Sequence, residues 1–218
     1  MEYLPIQAAL AKKQTSALAG TSPGQHQQHQ QQQRPVVGGI QISPLGAPYV
    51  GTLGCIVRRN SELFALSNNH ILASLNRLPV GTQIVQPSGI AQGDVFAVLN
   101  DFEPLRFSVP GLSAPRNYMD AAIASIPDST LIQLGIVFGL GRFTPQIMAP
   151  RPGMNVVKSG RTTGVTQGKI KAIGVQGITV NYGSSQSPIT SVFDNCTLIS
   201  NATNTPFALA GDSGSVVF

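Results

Sequence analysis

Tryptophan is absent from this chain, charged residues are few, and only two cysteines, Cys55 and Cys196, occur in its 218 residues. Two thiols are too few for a disulfide framework, and their spacing leaves open whether they pair. Long apolar runs are missing as well. The best stretch, Leu131 to Leu140, falls short of the ~18 apolar residues a membrane-crossing helix needs and contains Gln133. Met1-Glu2-Tyr3-Leu4-Pro5 lacks the basic start and apolar segment of a secretion signal. The expected setting is therefore the cytoplasm, with reduced thiols and no membrane partner. In that setting Asn195-Cys196-Thr197 and Asn201-Ala202-Thr203 match the glycosylation pattern only by accident.

Basic residues outnumber acidic ones, giving a net charge of +5 at pH 7. They are scattered, from Lys12 and Lys13 through Arg34, Arg58, Arg59, Arg77 and Arg106 to Lys171, with no basic cluster interleaved by aromatics. That spread argues against a specific nucleic-acid partner. His26 and His29 sit in a glutamine tract without a cysteine or carboxylate cluster, so neither a metal nor another cofactor is expected.

Glycine and proline are plentiful, and the apolar segments are short and rich in Val, Ile and Leu. Such composition favours strands over long helices. Residues 1–34 read as an N-terminal arm, with a short helix over Ile6 to Lys13 and a disordered glutamine-rich linker from Gln25 to Gln33. Strands are expected at Gly51 to Arg58, Leu63 to Ser67, Gln83 to Gln86, Val95 to Asn100 and Ala121 to Ile126. A second set covers Asn155 to Lys158, Gly168 to Val175, Gly177 to Tyr182, Ser191 to Leu198 and Ser215 to Phe218. Asn60-Ser61-Glu62 reads as a hairpin connection, Leu131 to Pro152 as the link between the two sets, and Ile71 to Leu75 as a short helix. The fold class is all-β, with antiparallel barrels or a sandwich.

Three residues carry candidate chemistry. Ser213 lies in Ala210-Gly211-Asp212-Ser213-Gly214-Ser215, where small residues let the backbone approach a reacting carbonyl. The N–H groups of Gly211 and Ser213 are then candidates for binding an oxyanion. His70 follows an apolar strand and two asparagines, in Phe64-Ala65-Leu66-Ser67-Asn68-Asn69-His70. It is the sole histidine of the segment expected to be ordered. Asp120 opens the apolar run Ala121-Ala122-Ile123, and a carboxylate entering such a run needs a partner. An imidazole N–H would serve. Each alone has an ordinary structural reading; together they suggest nucleophilic catalysis by a serine, a base and an orienting acid.

The chain order His70, Asp120, Ser213 is that of trypsin-like enzymes and differs from subtilisins and α/β-hydrolases. Residues 50 to 218 resemble a two-barrel serine protease of the trypsin/chymotrypsin type. More narrowly they resemble its intracellular bacterial branch, which is related to plant narrow-leaf proteins. The blocks Phe64 to His70, Lys158-Ser159-Gly160-Arg161-Thr162-Thr163-Gly164 and Gly211-Asp212-Ser213-Gly214-Ser215 carry that likeness. The resemblance implies a first barrel over 35–135 with His70 and Asp120, and a second over 136–218 with Ser213. It implies a serine endopeptidase acting on protein or peptide substrates through an acyl-enzyme, with an oxyanion hole at Gly211 and Ser213. Phe207, six residues before the serine, would lie at the floor of the substrate pocket.

Two departures stand out. Arg34-Pro35-Val36-Val37-Gly38-Gly39 resembles a zymogen activation site whose freed amine would pair with Asp212, but cleavage before proline is disfavoured. A loop entering the first strand is expected there. The sequence also ends five residues after Ser213, where trypsin-like enzymes continue with a further hairpin. A fragment, a second polypeptide completing the barrel, or a catalytically incomplete binding or scaffold module would each account for this.

Overall fold

Short apolar runs separated by Gly, Pro and Asn turns bury a side only when sheets curl around them, and that is the architecture found. The structure is a computed structural model describing residues 27–90, 94–144 and 146–218. The helix expected over Ile6 to Lys13 lies outside the described residues. The first strands are β1 (Val36–Gly38), β2 (Gln41–Pro44), β3 (Gly51–Thr52), β4 (Cys55–Arg59) and β5 (Glu62–Ser67). Helix α1 (Asn69–Leu72) follows, then β6 (Gln83–Val85), β7 (Val95–Phe102), β8 (Arg116–Asn117) and β9 (Ala122–Ser125). The later strands are β10 (Ile132–Val137), β11 (Gly141–Arg142), β12 (Asn155–Gly160), β13 (Gly164–Val175), β14 (Ile178–Asn181), β15 (Thr190–Phe193) and β16 (Cys196–Asn201).

The first half is one seven-stranded antiparallel sheet in the order β3-β2-β6-β7-β9-β5-β4. Register shifts between β6 and β7 and between β7 and β9 add local bend and twist, which curls the sheet. Asn60 closes the β4–β5 hairpin in the left-handed region, φ 58°, a conformation asparagine tolerates better than most residues. Ile40, Ile42, Leu53, Phe96, Leu99 and Leu72 fill the interior. The second half is built differently. Its antiparallel sheet β12-β13-β16 covers only a small cluster of Val156, Ile170 and Phe207.

Strands also pair out of sequence order. β8 pairs in parallel with β15 across the halves, while β1 pairs in parallel with β10 and both pack on the first core. The stretch read as a plain connection, Leu131 to Pro152, thus contains β10 and β11, which pair with each other. Ser215 to Phe218 forms no full strand; a single bridge joins Val217 to Lys158, and Phe218 exchanges two backbone bonds with Val157.

Part of the expected disordered linker is packed. Gln28–Gln30 form a 3-10 turn in which His29 is buried, its Nε2 3.0 Å from Ser159 Oγ and its ring edge-on to Phe138. Arg34 and the Gln33 backbone N–H donate to Gln86 Oε1, and Gln86 Nε2 donates back to Gln31 O. Polar glutamines order here because a buried amide, Gln86, needs partners. Val36 enters β1 directly, so Arg34-Pro35 leads into the first strand, and the Asp212 carboxylate is occupied by another cation.

Candidate active site

β5 ends at buried Ser67, and the chain turns through Asn68 in extended conformation, φ −81° and ψ 154°, into α1. Asn69 anchors that turn from within. Its amide donates to Asn76 Oδ1 and Glu103 O, and its carbonyl accepts from Asn76 N. His70 is thereby held at the start of a single helical turn, its side chain 20% exposed. One edge is fixed while another faces solvent, the arrangement a base requires.

Asp120 lies two residues before β9 and is 2% exposed. Its Oδ2 accepts from His70 Nδ1 at 2.5 Å and from the Tyr182 hydroxyl at 2.8 Å, and its Oδ1 accepts from His70 N at 3.2 Å. Asn68 Nδ2 donates to the Asp120 carbonyl at 2.5 Å. Burial pushes the Asp120 carboxyl up, but the His70 hydrogen bond and charge, the Tyr182 hydroxyl and the His70 N–H together hold it below its ordinary 3.8. With Nδ1 donating to a carboxylate, a neutral His70 ring carries its free lone pair on Nε2.

The turn that carries Ser213 is templated by two neighbouring segments. Gly211 and Gly214 adopt φ +98° and +96°. Asp212, between them, is buried; its Oδ1 accepts from Thr162 N and Thr163 N, and its Oδ2 from Thr163 Oγ1 and Leu209 N. The Lys158 ammonium lies 3.4 Å from Asp212 Oδ2, with both side chains about 1% exposed. This internal lysine fills the place that a freed N-terminal amine would have taken. Thr162 Oγ1 donates to Ala210 O and Thr52 Oγ1 to Gly211 O, while Thr52 N donates to Ser213 O. The carbonyls of the turn are therefore tied. Among the described residues, the N–H groups of Gly211 and Ser213 donate to no protein acceptor.

Thr52 also brings the turn to the first half. Its carbonyl accepts from Ser67 Oγ, and a Cβ on Gly214 would sit 2.1 Å from Thr52 O and 2.2 Å from Ser67 Oγ. The Ser213–Gly214 backbone is thus wedged against β3 and the end of β5, three residues before His70. The structure joins His70 to Asp120 directly and seats the Ser213 backbone beside the segment that presents them. Among the described residues, Ser213 Oγ makes no hydrogen bond to His70. The Phe207 ring belongs to the second core cluster, 5% exposed, with the Lys158 ammonium 6.0 Å above it.

No protein-family model matches the chain, and no curated protein does. Solved structures do. Protease A of Thermobifida fusca is 19% identical with a TM-score of 0.51, covering 84% of this chain and 77% of that one. A glutamic-acid-specific serine protease is 22% identical with a TM-score of 0.52, over 84% and 79%. The chymotrypsin of Cellulomonas bogoriensis is 20% identical with a TM-score of 0.51, over 84% and 76%. The fold is that of the chymotrypsin-like serine proteases. This likeness is to the general fold; it does not connect the chain to an intracellular bacterial branch or to plant proteins. Cys55 and Cys196 are free thiols in this fold, and burial pushes Cys55 up to about 11. Among the described residues, no helix is long and apolar enough to cross a membrane.

Sequence reasoning missed Tyr182, Thr52 and the role of Lys158. For Lys158 a signal existed: one lysine in the otherwise apolar run Val156-Val157-Lys158, whose burial demands an anion. Tyr182 and Thr52 act through contacts that no local pattern encodes.

Proposed function

We propose that the chain is a serine endopeptidase that hydrolyses peptide bonds by acyl transfer. Ser213 Oγ attacks the substrate carbonyl as His70 Nε2 takes its proton, and His70 returns that proton to the leaving amine. Asp120 keeps His70 in the Nδ1–H tautomer and stabilises the imidazolium. The N–H groups of Gly211 and Ser213 receive the developing oxyanion, a contribution of about 3–4 kcal/mol per donor in comparable sites. The observation that carries this reading is the 2.5 Å bond from His70 Nδ1 to a carboxylate that is 2% exposed. A buried carboxylate spent on one ring nitrogen directs the basicity to the other. The fold agrees with protein or peptide substrates. The three motif blocks favour the intracellular branch and, with it, a cytoplasmic enzyme.

A protease-like binding module is the second reading, favoured by a Ser213 Oγ that, among the described residues, makes no hydrogen bond to His70. Casein or peptide hydrolysis separates the two. Asp120→Asn is expected to lower kcat about 10⁴-fold with the fold retained. An unchanged rate removes Asp120 from the mechanism.

A further inference from the structure

Tyr182 belongs to the second half of the chain, yet among the described residues it makes the contacts that cross to the His70–Asp120 pair. It stands one residue past β14, at the base of the hairpin that leads to β15. That hairpin is closed by its own bonds. Tyr182 N donates to Ile189 O at 2.8 Å, while Asn181 Oδ1 accepts from Gly183 N at 2.9 Å and Ile189 N at 3.1 Å. The backbone bearing the ring is therefore held before it reaches the site.

Two contacts then converge. The hydroxyl donates to Asp120 Oδ2 at 2.8 Å, the same oxygen that accepts from His70 Nδ1. The ring lies tilted against the imidazole, centroids 5.2 Å apart and planes at 46°. The titratable groups facing this point are His70 from α1, Asp120 from the approach to β9, and Tyr182 itself; Asn68 and Asn69 beside them are neutral. Burial, then the Asp120 charge and hydrogen bond, push the Tyr182 phenol well above its ordinary range. The hydroxyl remains protonated and acts as a donor towards the carboxylate.

We propose that Tyr182 is a positioning residue of the catalytic centre, fixing the Asp120 carboxylate and the His70 ring from the opposite half of the molecule. Two donors on Oδ2 and one on Oδ1 leave the carboxylate a single orientation. The second donor on Oδ2 also draws charge from it, moderating the bond to His70. The ring, tilted against the imidazole, also narrows the approach of water to the His70–Asp120 bond. Because Tyr182 reports through the β14–β15 hairpin, anything that displaces that hairpin disturbs the base.

This proposal rests on the acyl-transfer reading for its rate consequences, whereas its geometry can be tested without turnover. The measurement is proton NMR of the intact chain, following the low-field His70 Nδ1–H resonance in the unmodified protein, Tyr182→Phe and Tyr182→Leu. In Tyr182→Phe the resonance is expected to move downfield, because Oδ2 relieved of its second donor accepts more strongly from His70. In Tyr182→Leu it should also broaden through exchange with water. Kinetically, Tyr182→Phe should lose about tenfold in kcat with KM unchanged, the scale of one hydrogen bond to a charged group. A resonance that stays in place in Tyr182→Phe, with sharp lines in Tyr182→Leu, overturns the proposal. A shifted resonance in a chain without hydrolase activity upholds the role of Tyr182 and counts against the acyl-transfer reading instead.

Discussion

Replacing Lys158 by Met removes the ammonium from Asp212 and leaves the apolar stem beside Phe207. Both members of the pair are about 1% exposed, so the remaining carboxylate cannot turn to water. Removing one partner of a buried ion pair costs about 3–5 kcal/mol. Asp212 keeps its donors from Thr162, Thr163 and Leu209, which places the loss at the lower end. For a chain of this size, about 3 kcal/mol corresponds to a fall in Tm of about 6–12 °C. The lysine itself is strained: burial pushes its pKa down, and the Asp212 charge and hydrogen bond pull it back only in part. Thermal unfolding followed by circular dichroism reads the shift. The double variant Lys158→Met/Asp212→Asn should recover about half of it, because the uncompensated charge is gone. A fall below about 2 °C for the single variant refutes the reasoning. It would mean that the hydrogen bonds to Asp212 suffice without the cation.

Two other expectations follow from the same neighbourhood. Gly214→Ala must place a Cβ about 2 Å from Thr52 O in a left-handed backbone, so it should displace the nucleophile turn and abolish hydrolysis; wild-type kcat would contradict the tight seating. Asp120 titrates below 3.8 when folded, so its contribution to stability is complete above that pH and is lost as pH falls through the folded value. Asp120→Asn should therefore flatten the stability profile below about pH 4, and an unaltered acid limb in urea titrations would count against it.

Much of the first half was legible in the sequence because its strands carry their own signals. Leu63 to Ser67 and Val95 to Asn100 alternate or run apolar between clear turns, and Asn60 marks the hairpin between the first pair. The same local reading located His70 after a strand end and Asp120 before one. It failed where pairing partners are distant. β1 and β2 are short, and β1 finds its ladder in β10, far along the chain. Residues 27–34 looked like linker because glutamines carry no apolar period, yet Gln86 and Ser159 give their polar groups buried partners. His29 is consequently a second ordered histidine, packed rather than presented. Phe207, which the family resemblance placed at a pocket floor, packs its ring into the small core cluster of the second half, a contact its local sequence does not signal. Tyr182 illustrates the general limit, since its contact with Asp120 spans sixty-two positions and depends on how two sheets meet.

The central claim is that Ser213 is an activated nucleophile facing a formed oxyanion hole. Intact-mass spectrometry after exposure to a fluorophosphonate probe, with Ser213→Ala alongside, tests it most directly. One adduct per chain is expected on the unmodified protein and none on the variant. Failure of the unmodified protein to label, with its fold intact, would contradict that claim and leave a protease fold put to binding.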